Sequence, residues 1–224
     1  MSPFTNIRAI TFDVGGTLIQ PWPSVGHVYA EVAMRHGFTD PSAEKLNRQF
    51  AAAWRKLTNF NHTREEWAAL VDQTFAGAPG PPPSRTFFPE LYERFAGAGA
   101  WRIFDDVLPA LDALAAAGIQ LAVISNWDER LRPLLKQLGL AKYFETVVVS
   151  CEVGFPKPSP VIFEHAARRL GLSPDLILHV GDSPEADVLG AKSAGFHALL
   201  LDRGKERNSP EQISSLQDLA AGAG

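Results

Sequence analysis

The sequence predicts an α/β protein: a doubly wound core with a parallel β-sheet, interrupted near its start by an all-helical insertion. Two observations predict this fold. In the second half of the chain, helical segments alternate with short, continuously apolar segments, which is typical of parallel strands buried on both faces. One further apolar segment, Arg8 to Phe12, lies near the N-terminus and is separated from the others by a helical block. We therefore expect residues 1–19 and 98–224 to form the core domain and residues 20–97 the inserted domain.

The inserted domain shows helical patterns and no strand pattern. Its first segments, “HVYAEVAMRHG” and “DPSAEKLNRQFAAAWRKL”, carry apolar residues at helical spacing. In the next segment, Thr63 and Glu66 match a capping box, in which each side chain bonds the other's backbone N–H. The segment “SRTFFPELYERFAG” predicts a last helix that is interrupted near Pro89.

The core domain contains four units in which a helix precedes a strand. The helical segments are “DDVLPALDALAAAG”, “DERLRPLLKQLG”, “SPVIFEHAARRLG” and “PEADVLGAKSAG”. The strands that follow them are “IQLAVISN”, “YFETVVVS”, “DLILHVGD” and “FHALLLD”. This order favours a parallel sheet with helices on both faces.

Composition and charge narrow the range of functions. The chain of 224 residues has a net charge of −4 and no long block of Lys or Arg, so a nucleic-acid partner is not indicated. No apolar run reaches the roughly 20 residues that span a bilayer. The N-terminus lacks the pattern of a signal peptide, and we expect a cytoplasmic protein without membrane contact. Cys151, the one cysteine, ends an apolar run and is expected to be a buried structural thiol.

Polar side chains follow four of the predicted strands. In open α/β sheets, ligands bind beyond the carboxyl ends of the strands, so these side chains are expected to share one crevice. They are those of Asp13, which is followed by Gly15, Gly16 and Thr17; of Ser125 and Asn126; of Lys157; and of Asp182 and Asp187.

The charges of this crevice indicate its ligands. Three carboxylates and one Lys sum to −2, and carboxylates brought together without a counter-ion repel one another. A hard divalent cation relieves this repulsion, and Mg²⁺ is the usual choice for carboxylate and phosphate oxygens. Ser125 and Lys157 supply a donor and a fixed cation for a phosphate group. Each residue alone has a simpler explanation, such as Asp182 capping the next helix. The coincidence of polar groups at four strand ends nevertheless favours a ligand-binding site.

The motifs that carry these residues resemble those of the haloacid dehalogenase (HAD) superfamily. In chain order they are “FDVGGTL”, “VISN”, “GFPKPSPVIF” and “HVGDSPEADVLGAKSAG”. The insertion directly after the first motif is similar to the helical-bundle cap of this superfamily. The resemblance covers the whole core and implies a Rossmann-like HAD fold and a hydrolase, chiefly a phosphatase of small phosphorylated molecules.

The resemblance also implies a role for each motif residue. Asp13 matches the nucleophile that forms an aspartyl-phosphate, Ser125 the donor to a phosphoryl oxygen, and Lys157 the cation that orients the nucleophile. The predicted Mg²⁺ ligands are Asp13, Asp182, Asp187 and the backbone carbonyl of Gly15. The predicted substrate contacts are Gly16, Thr17, Ser125, Asn126, Trp127 and Lys157.

Gly15 departs from the pattern that this resemblance implies. Most phosphatases of the superfamily carry a second Asp at this position, which protonates the leaving oxygen and then activates water. General acid–base catalysis contributes about 10²–10⁴-fold, so we expect weak activity on poor leaving groups.

Three alternatives stay open because of Gly15. The first is a catalytically impaired protein that binds a phosphorylated ligand or a protein partner. The second is a phosphonate-cleaving enzyme, whose relatives use a cap lysine; Lys45 and Lys56 lie in the insertion. The third is a metal-free dehalogenase, against which Asp182 and Asp187 speak. The sequence does not predict the substrate, the oligomeric state or which cap aromatics face the crevice.

Overall fold

The computed structural model describes residues 6–58, 60–204 and 209–220. The chain forms two compact units. The first combines the described residues up to Ile19 with those from Ile103 onward, and the second spans Gln20–Arg102. Residues 1–5, part of the segment in which no signal peptide is expected, lie outside the described residues.

The first unit contains a six-stranded parallel sheet, which confirms the predicted fold class. The strands in chain order are β1 (Ala9–Phe12), β2 (Ile19–Pro21), β3 (Trp101–Ile103), β4 (Gln120–Ser125), β5 (Thr146–Val149), β6 (Ile177–Gly181), β7 (His197–Leu201) and β8 (Gln212–Ile213). The order in the sheet is β5-β4-β1-β6-β7-β8, and β2 pairs with β3 separately. The strands β2, β3 and β8 were not predicted, because two or three residues are too short to show a strand pattern.

Ten α-helices accompany these strands within the described residues. They are α1 (Val25–Arg35), α2 (Ala43–Trp54), α3 (Arg64–Thr74), α4 (Phe88–Ala96), α5 (Val107–Ala116), α6 (Leu131–Gln137), α7 (Ser150–Val153), α8 (Pro160–Leu170), α9 (Gly190–Ser193) and α10 (Gln217–Ala220). Short 3₁₀ turns cover Pro83–Arg85, Ala98–Ala100, Ala141–Tyr143 and Pro174–Leu176, and a π-helical turn covers Pro184–Leu189. No helix in the described ranges has both the length and the apolar character that a membrane crossing needs.

Strand β1 lies in the middle of the sheet and sets the position of the candidate site. Phe12 is paired with Val123 of β4 and with Val180 of β6. The residues at the carboxyl ends of these three strands therefore leave the sheet side by side. They include Asp13, Ser125 and Asp182.

Helix α8 packs against one face of this sheet because its apolar residues recur at helical spacing. The residues that it buries are Ile162, Phe163, Ala166, Ala167 and Leu170. They join a core cluster with residues of β1, β4 and β6. Full burial of a side chain as large as Phe163 contributes about 1.5–3 kcal/mol.

The second unit is built on helices α1 to α4, whose core is aromatic. The ring of Tyr29 lies about 6 Å from the rings of Phe50, Phe75 and Phe95, which are common distances for edge-to-face and stacked pairs. The predicted capping box is present at the start of α3, where Thr63 and Glu66 bond each other's backbone N–H. Lys45 and Lys56 are both exposed to solvent.

One local prediction was wrong, and another needs a more exact position. The last helical segment of the insertion is interrupted just before Pro89, between the 3₁₀ turn Pro83–Arg85 and the start of α4 at Phe88. Pro89 itself lies in the first turn of α4, where its missing N–H is tolerated. Cys151 is exposed rather than buried, because α7 begins at Ser150 and turns its side chain outward. The simpler explanation of Asp182 as a helix cap does not hold, because the segment after β6 starts as a π-helical turn whose N-cap is Ser183.

Candidate active site

Asp13 directly follows β1 and is buried. Its Oδ1 accepts two hydrogen bonds, from Lys157 Nζ at 2.7 Å and from Ser125 Oγ at 3.0 Å. Burial raises the pKa of Asp13, and the charge of Asp187 raises it further, while Lys157 opposes both effects. The two donors therefore fix the orientation of this carboxylate group.

Lys157 connects two of the site's carboxylates. Its Nζ lies 2.7 Å from Asp13 Oδ1 and 2.5 Å from Asp187 Oδ1, and its side chain is buried. Burial alone would lower the pKa of Lys157, but the two carboxylates outweigh burial and raise it. Asn126 holds the backbone of this lysine, because its Oδ1 accepts from Lys157 N at 2.7 Å and its Nδ2 donates to Lys157 O at 2.9 Å. Asn126 thus positions Lys157.

Asp187 accepts hydrogen bonds on both of its oxygens. Lys157 Nζ and His179 Nε2 approach Oδ1, and the backbone N–H of Ser183 donates to Oδ2 at 2.9 Å. Burial opposes ionisation, but the charge of Lys157 and the bond from His179 hold the pKa of Asp187 well below its usual range. This carboxylate is therefore ionised at neutral pH.

Asp13, Asp182 and Asp187 form a cluster whose candidate ligand atoms lie within 4.8 Å of one another. Asp182 is exposed, yet the protein around its carboxyl group and the charges of Asp13 and Asp187 raise its pKa to about 7. Lys157 only partly offsets this repulsion among hard oxygen ligands, and a divalent cation removes the remainder. The donor set therefore fits Mg²⁺.

Gly16 allows Asp182 to approach the loop after β1. Its φ angle is +83°, which side-chain-bearing residues rarely adopt. A Cβ atom built on Gly16 would lie 2.3 Å from Asp182 Oδ2, so only glycine fits. The loop is closed by its own backbone, since Gly16 N donates to Ile19 O and Leu18 N donates to Val14 O.

Trp127 lies against Gly15, in the space where a side chain at residue 15 would begin. A Cβ atom on Gly15 would be 3.3 Å from Trp127 Cζ3. The backbone of Trp127 is tied to the start of α7, because Trp127 N donates to Ser150 Oγ and Trp127 O accepts from Ser150 Oγ and Cys151 N. The structure thus brings Trp127 to the first motif.

Thr17 is fully buried, and its Oγ1 has no hydrogen-bond partner in the described part of the chain. Its carbonyl accepts from Arg203 Nη2 at 2.8 Å. Arg203 in turn donates to both carboxylate oxygens of Asp106, at 2.8 and 2.9 Å. An ion pair thus holds the loop that follows Asp13.

Sequence reasoning missed four residues that support this site: Thr11, His179, Asp106 and Arg203. Thr11 and His179 lie inside strands, where polar residues interrupt otherwise apolar runs. A polar residue in a fully buried strand signals a buried hydrogen bond, and that signal was available. Asp106 and Arg203 carried no comparable signal, because each lies among other polar residues in a segment that resembles an ordinary surface loop.

Comparisons with known proteins identify the family of this chain. The sequence profile of the haloacid dehalogenase-like hydrolases matches residues 7–195. The haloacid dehalogenase-like hydrolase domain-containing protein 3 of Mus musculus is 35% identical over 205 residues, which cover 87% of this chain and 82% of the relative. The glyceraldehyde 3-phosphate phosphatase of Methanopyrus kandleri is 31% identical over 215 residues, which cover 89% and 85%. A solved HAD phosphatase from Thermococcus onnurineus is similar with a TM-score of 0.69 at 26% identity, covering 96% of this chain and 97% of that one.

Proposed function

Because this chain belongs to the haloacid dehalogenase-like hydrolases, we propose that it is a Mg²⁺-dependent phosphatase of small phosphate esters, with Asp13 as the nucleophile. The observation that carries the proposal is the buried contact of Lys157 with Asp13 and Asp187 beside Ser125. A cation and a hydroxyl group that share one oxygen of a buried carboxylate suit phosphoryl transfer, in which positioning and charge stabilisation dominate.

The reaction proceeds in two displacements. In the first, a carboxylate oxygen of Asp13 attacks phosphorus, the bond from phosphorus to the ester oxygen breaks, and the ester oxygen leaves with that electron pair as an alkoxide or aryloxide. An alkoxide then takes a proton from water. In the second, water attacks the same phosphorus, the bond from phosphorus to the Asp13 oxygen breaks with its electron pair returning to the carboxylate, and the proton of the attacking water passes to solvent. Lys157 and Ser125 hold the nucleophile and stabilise the charge on the phosphoryl oxygens.

Four groups would hold Mg²⁺: Asp13, Asp182, Asp187 and the carbonyl of Gly15. When bound, the cation neutralises charge on the carboxylates and the phosphoryl group. The second unit, Gln20–Arg102, would be the helical cap of this family and would supply substrate specificity. Gly16, Thr17, Asn126 and Trp127 are proposed to line the phosphate end of the substrate.

Gly15 limits which esters react well. No side chain at this position can donate a proton to the leaving oxygen, so esters whose alcohol leaves without a proton are favoured. We propose that aryl phosphates and acyl phosphates react faster than alkyl phosphates. A relative named as a glyceraldehyde 3-phosphate phosphatase supports a small phosphorylated metabolite as the physiological class.

A panel of phosphorylated metabolites and one aryl phosphate, assayed with Mg²⁺, tests the proposal. Wild-type protein should release phosphate, and Asp13→Asn should release none. Asp175→Asn, an exposed aspartate of the same unit, serves as the matched control and should retain full activity. Equal activity of Asp13→Asn and wild type would overturn the assignment of the nucleophile.

The absence of a carboxylate at residue 15 favours one second candidate, a protein that binds a phosphorylated ligand without turning it over. In that case Mg²⁺ with phosphate would raise the melting temperature, and no ester of the panel would be hydrolysed. The same assays therefore separate the two functions.

A further inference from the structure

His179 links the interior of the sheet to the candidate metal site. We propose that His179 is a positioning residue that orients Asp187 for Mg²⁺, and that Thr11 fixes the tautomer in which His179 does so. The inference rests on the proposed function, since it concerns the cation and the reaction assigned to that site.

The three residues form a continuous chain of buried hydrogen bonds. Thr11 Oγ1 lies 2.9 Å from His179 Nδ1, and His179 Nε2 lies 3.0 Å from Asp187 Oδ1. Thr11 and His179 are 0% exposed and Asp187 is 1% exposed. Both ring nitrogens thus have a partner, and neither is in contact with water.

The chemistry of the partners assigns the protons. Asp187 is ionised and only accepts, so the proton between the two side chains belongs to His179 Nε2. His179 is fully buried and has one partner at each ring nitrogen, so a single ring proton satisfies both contacts. Nδ1 then carries a lone pair and accepts from the hydroxyl of Thr11 at 2.9 Å, a shorter contact than the 3.4 Å between that hydroxyl and Leu178 O. The hydroxyl of Thr11 thus favours the same tautomer that the carboxylate of Asp187 requires, and without that hydroxyl the Nδ1 lone pair would be buried without a donor.

The bond from His179 completes a set of three donors around Asp187. Lys157 and His179 share Oδ1, and the Ser183 N–H holds Oδ2. Without His179, only the long side chain of Lys157 would restrain Oδ1, and Lys157 also serves Asp13. Because of His179, the orientation of Asp187 does not depend on Lys157 alone, which also binds the nucleophile Asp13.

A purely structural histidine is the competing explanation. The ring of Phe163 packs edge-on against His179, with centroids 5.2 Å apart, so the imidazole also fills space in the core. A space-filling role predicts that substitutions lower stability and leave metal affinity unchanged. A positioning role predicts that replacing His179 by an apolar residue lowers metal affinity. It also predicts that a replacement with an N–H group directed at Asp187 restores this affinity.

The test titrates purified variants with Mg²⁺ alone by calorimetry and measures kcat and KM on an aryl phosphate. His179→Leu should weaken Mg²⁺ binding by about 10–100-fold, the range for partners of metal ligands. It should lower kcat with little change in KM, while His179→Gln, which keeps a donor toward Asp187, should recover most of both. Leu178→Val, a neighbour on β6 that joins no hydrogen bond through its side chain, controls for packing and should bind Mg²⁺ like wild type.

A second pair of variants leaves the imidazole in place. Thr11→Val should weaken Mg²⁺ binding several-fold and Thr11→Ser should not, because serine retains the hydroxyl. If His179→Leu does not fold, this pair decides: equal Mg²⁺ affinity of Thr11→Val and Thr11→Ser overturns the inference. Equal affinity of His179→Leu and wild type overturns it as well. A wild-type protein that neither binds Mg²⁺ nor hydrolyses any ester would overturn the proposed function itself.

Discussion

The indole ring of Trp127 occupies the space into which a side chain at Gly15 would extend. A Cβ atom at residue 15 would lie 3.3 Å from Cζ3 and 3.9 Å from Cη2 of the ring. The first distance is a few tenths of an ångström too close, so the ring would have to shift. The absence of a side chain at Gly15 therefore goes with the position of the Trp127 ring. An aspartate at residue 15 would fit better beside a smaller side chain at residue 127.

We expect Gly15→Asp alone to raise turnover of alkyl phosphates only modestly. The double variant Gly15→Asp with Trp127→Leu should raise it further, toward the about 10²–10⁴-fold that general acid–base catalysis supplies. Aryl phosphates should gain much less, because their leaving groups need no proton. The measurement is kcat/KM for one alkyl and one aryl phosphate.

Gly15→Asn is the matched control for this prediction, since it has nearly the same shape and no acidic group. If Gly15→Asn with Trp127→Leu raises alkyl turnover as much as the aspartate variant, the gain comes from space and not from proton transfer. If both substrates gain equally, another group donates the proton.

The sequence predicted the sheet because its four later strands are long enough for a continuous apolar run to stand out. It also predicted which strand ends carry polar groups. Four of the predicted residues form one chain of hydrogen bonds, in which Ser125 and Lys157 donate to Asp13 and Lys157 also donates to Asp187. The direction of the strands suffices to predict that these residues meet, because parallel strands bring their carboxyl ends to one edge of the sheet.

Other contacts could not be predicted from the sequence. The contact between Gly15 and Trp127 depends on how two loops fold over the strand ends, and neither loop has a repeating pattern. The ion pair of Asp106 and Arg203 joins residues that are far apart in the chain, at the start of α5 and after β7. Such pairs depend on tertiary packing, about which local spacing carries no information.

Gly16→Ala should weaken Mg²⁺ binding by displacing Asp182. The new Cβ would overlap Asp182 Oδ2, which lies 2.3 Å away, and the aspartate would turn aside. The positive φ also costs about 1–2 kcal/mol of stability for a residue with a side chain. Gly118→Ala isolates that second effect, because Gly118 has a φ of +75° and no atom near its Cβ position.

Calorimetry with Mg²⁺ and urea unfolding test both glycine variants together. Gly16→Ala should lose at least as much stability as Gly118→Ala, and only Gly16→Ala should lose Mg²⁺ affinity. Equal Mg²⁺ affinity of the two variants would mean that Asp182 does not contact the cation.

Mg²⁺ binding should strengthen as the pH rises from 6 to 7 and level off above 7. The protein around the carboxyl group of Asp182 and the neighbouring carboxylates raise its pKa to about 7, and below that value a proton competes with the cation. The apparent affinity should change by at most about tenfold per pH unit. Titration calorimetry between pH 6 and 8 measures it, and Asp182→Asn should remove the dependence.

The raised pKa of Asp182 also affects the stability of the metal-free protein, which should fall as the pH rises, whereas Mg²⁺ affinity should increase. Between the ordinary value of 3.8 and about 7, the folded state holds a proton at Asp182 that the unfolded state has lost. Stability from this group is therefore fully present below 3.8 and declines as the pH rises through 7. Melting temperatures in a chelator should fall from pH 5 to pH 8 more for wild type than for Asp182→Asn.

Arg203→Met should destabilise the protein and loosen the loop that follows Asp13. Arg203 Nη2 donates to the carbonyl of Thr17, and the guanidinium group lies 4.0 Å from the centre of the Phe104 ring. The variant would leave the carboxylate of Asp106, 12% exposed, without its cation. Removing one partner of a buried ion pair costs about 3–5 kcal/mol, and we expect the lower end because neither group is fully buried.

Arg132→Met is the matched control, because Arg132 also binds a carboxylate, Glu152, and a backbone carbonyl, Val147 O. Its pair is about two-fifths exposed, and exposed pairs contribute at most about 1 kcal/mol. Urea unfolding should therefore separate the two variants by about 2 kcal/mol. Arg203→Met should also lower kcat on an aryl phosphate, because the loop that it releases positions Gly15 and Gly16, whereas Arg132→Met should not. Equal stability and equal kcat in both variants would show that the Thr17 carbonyl needs no partner to hold the loop.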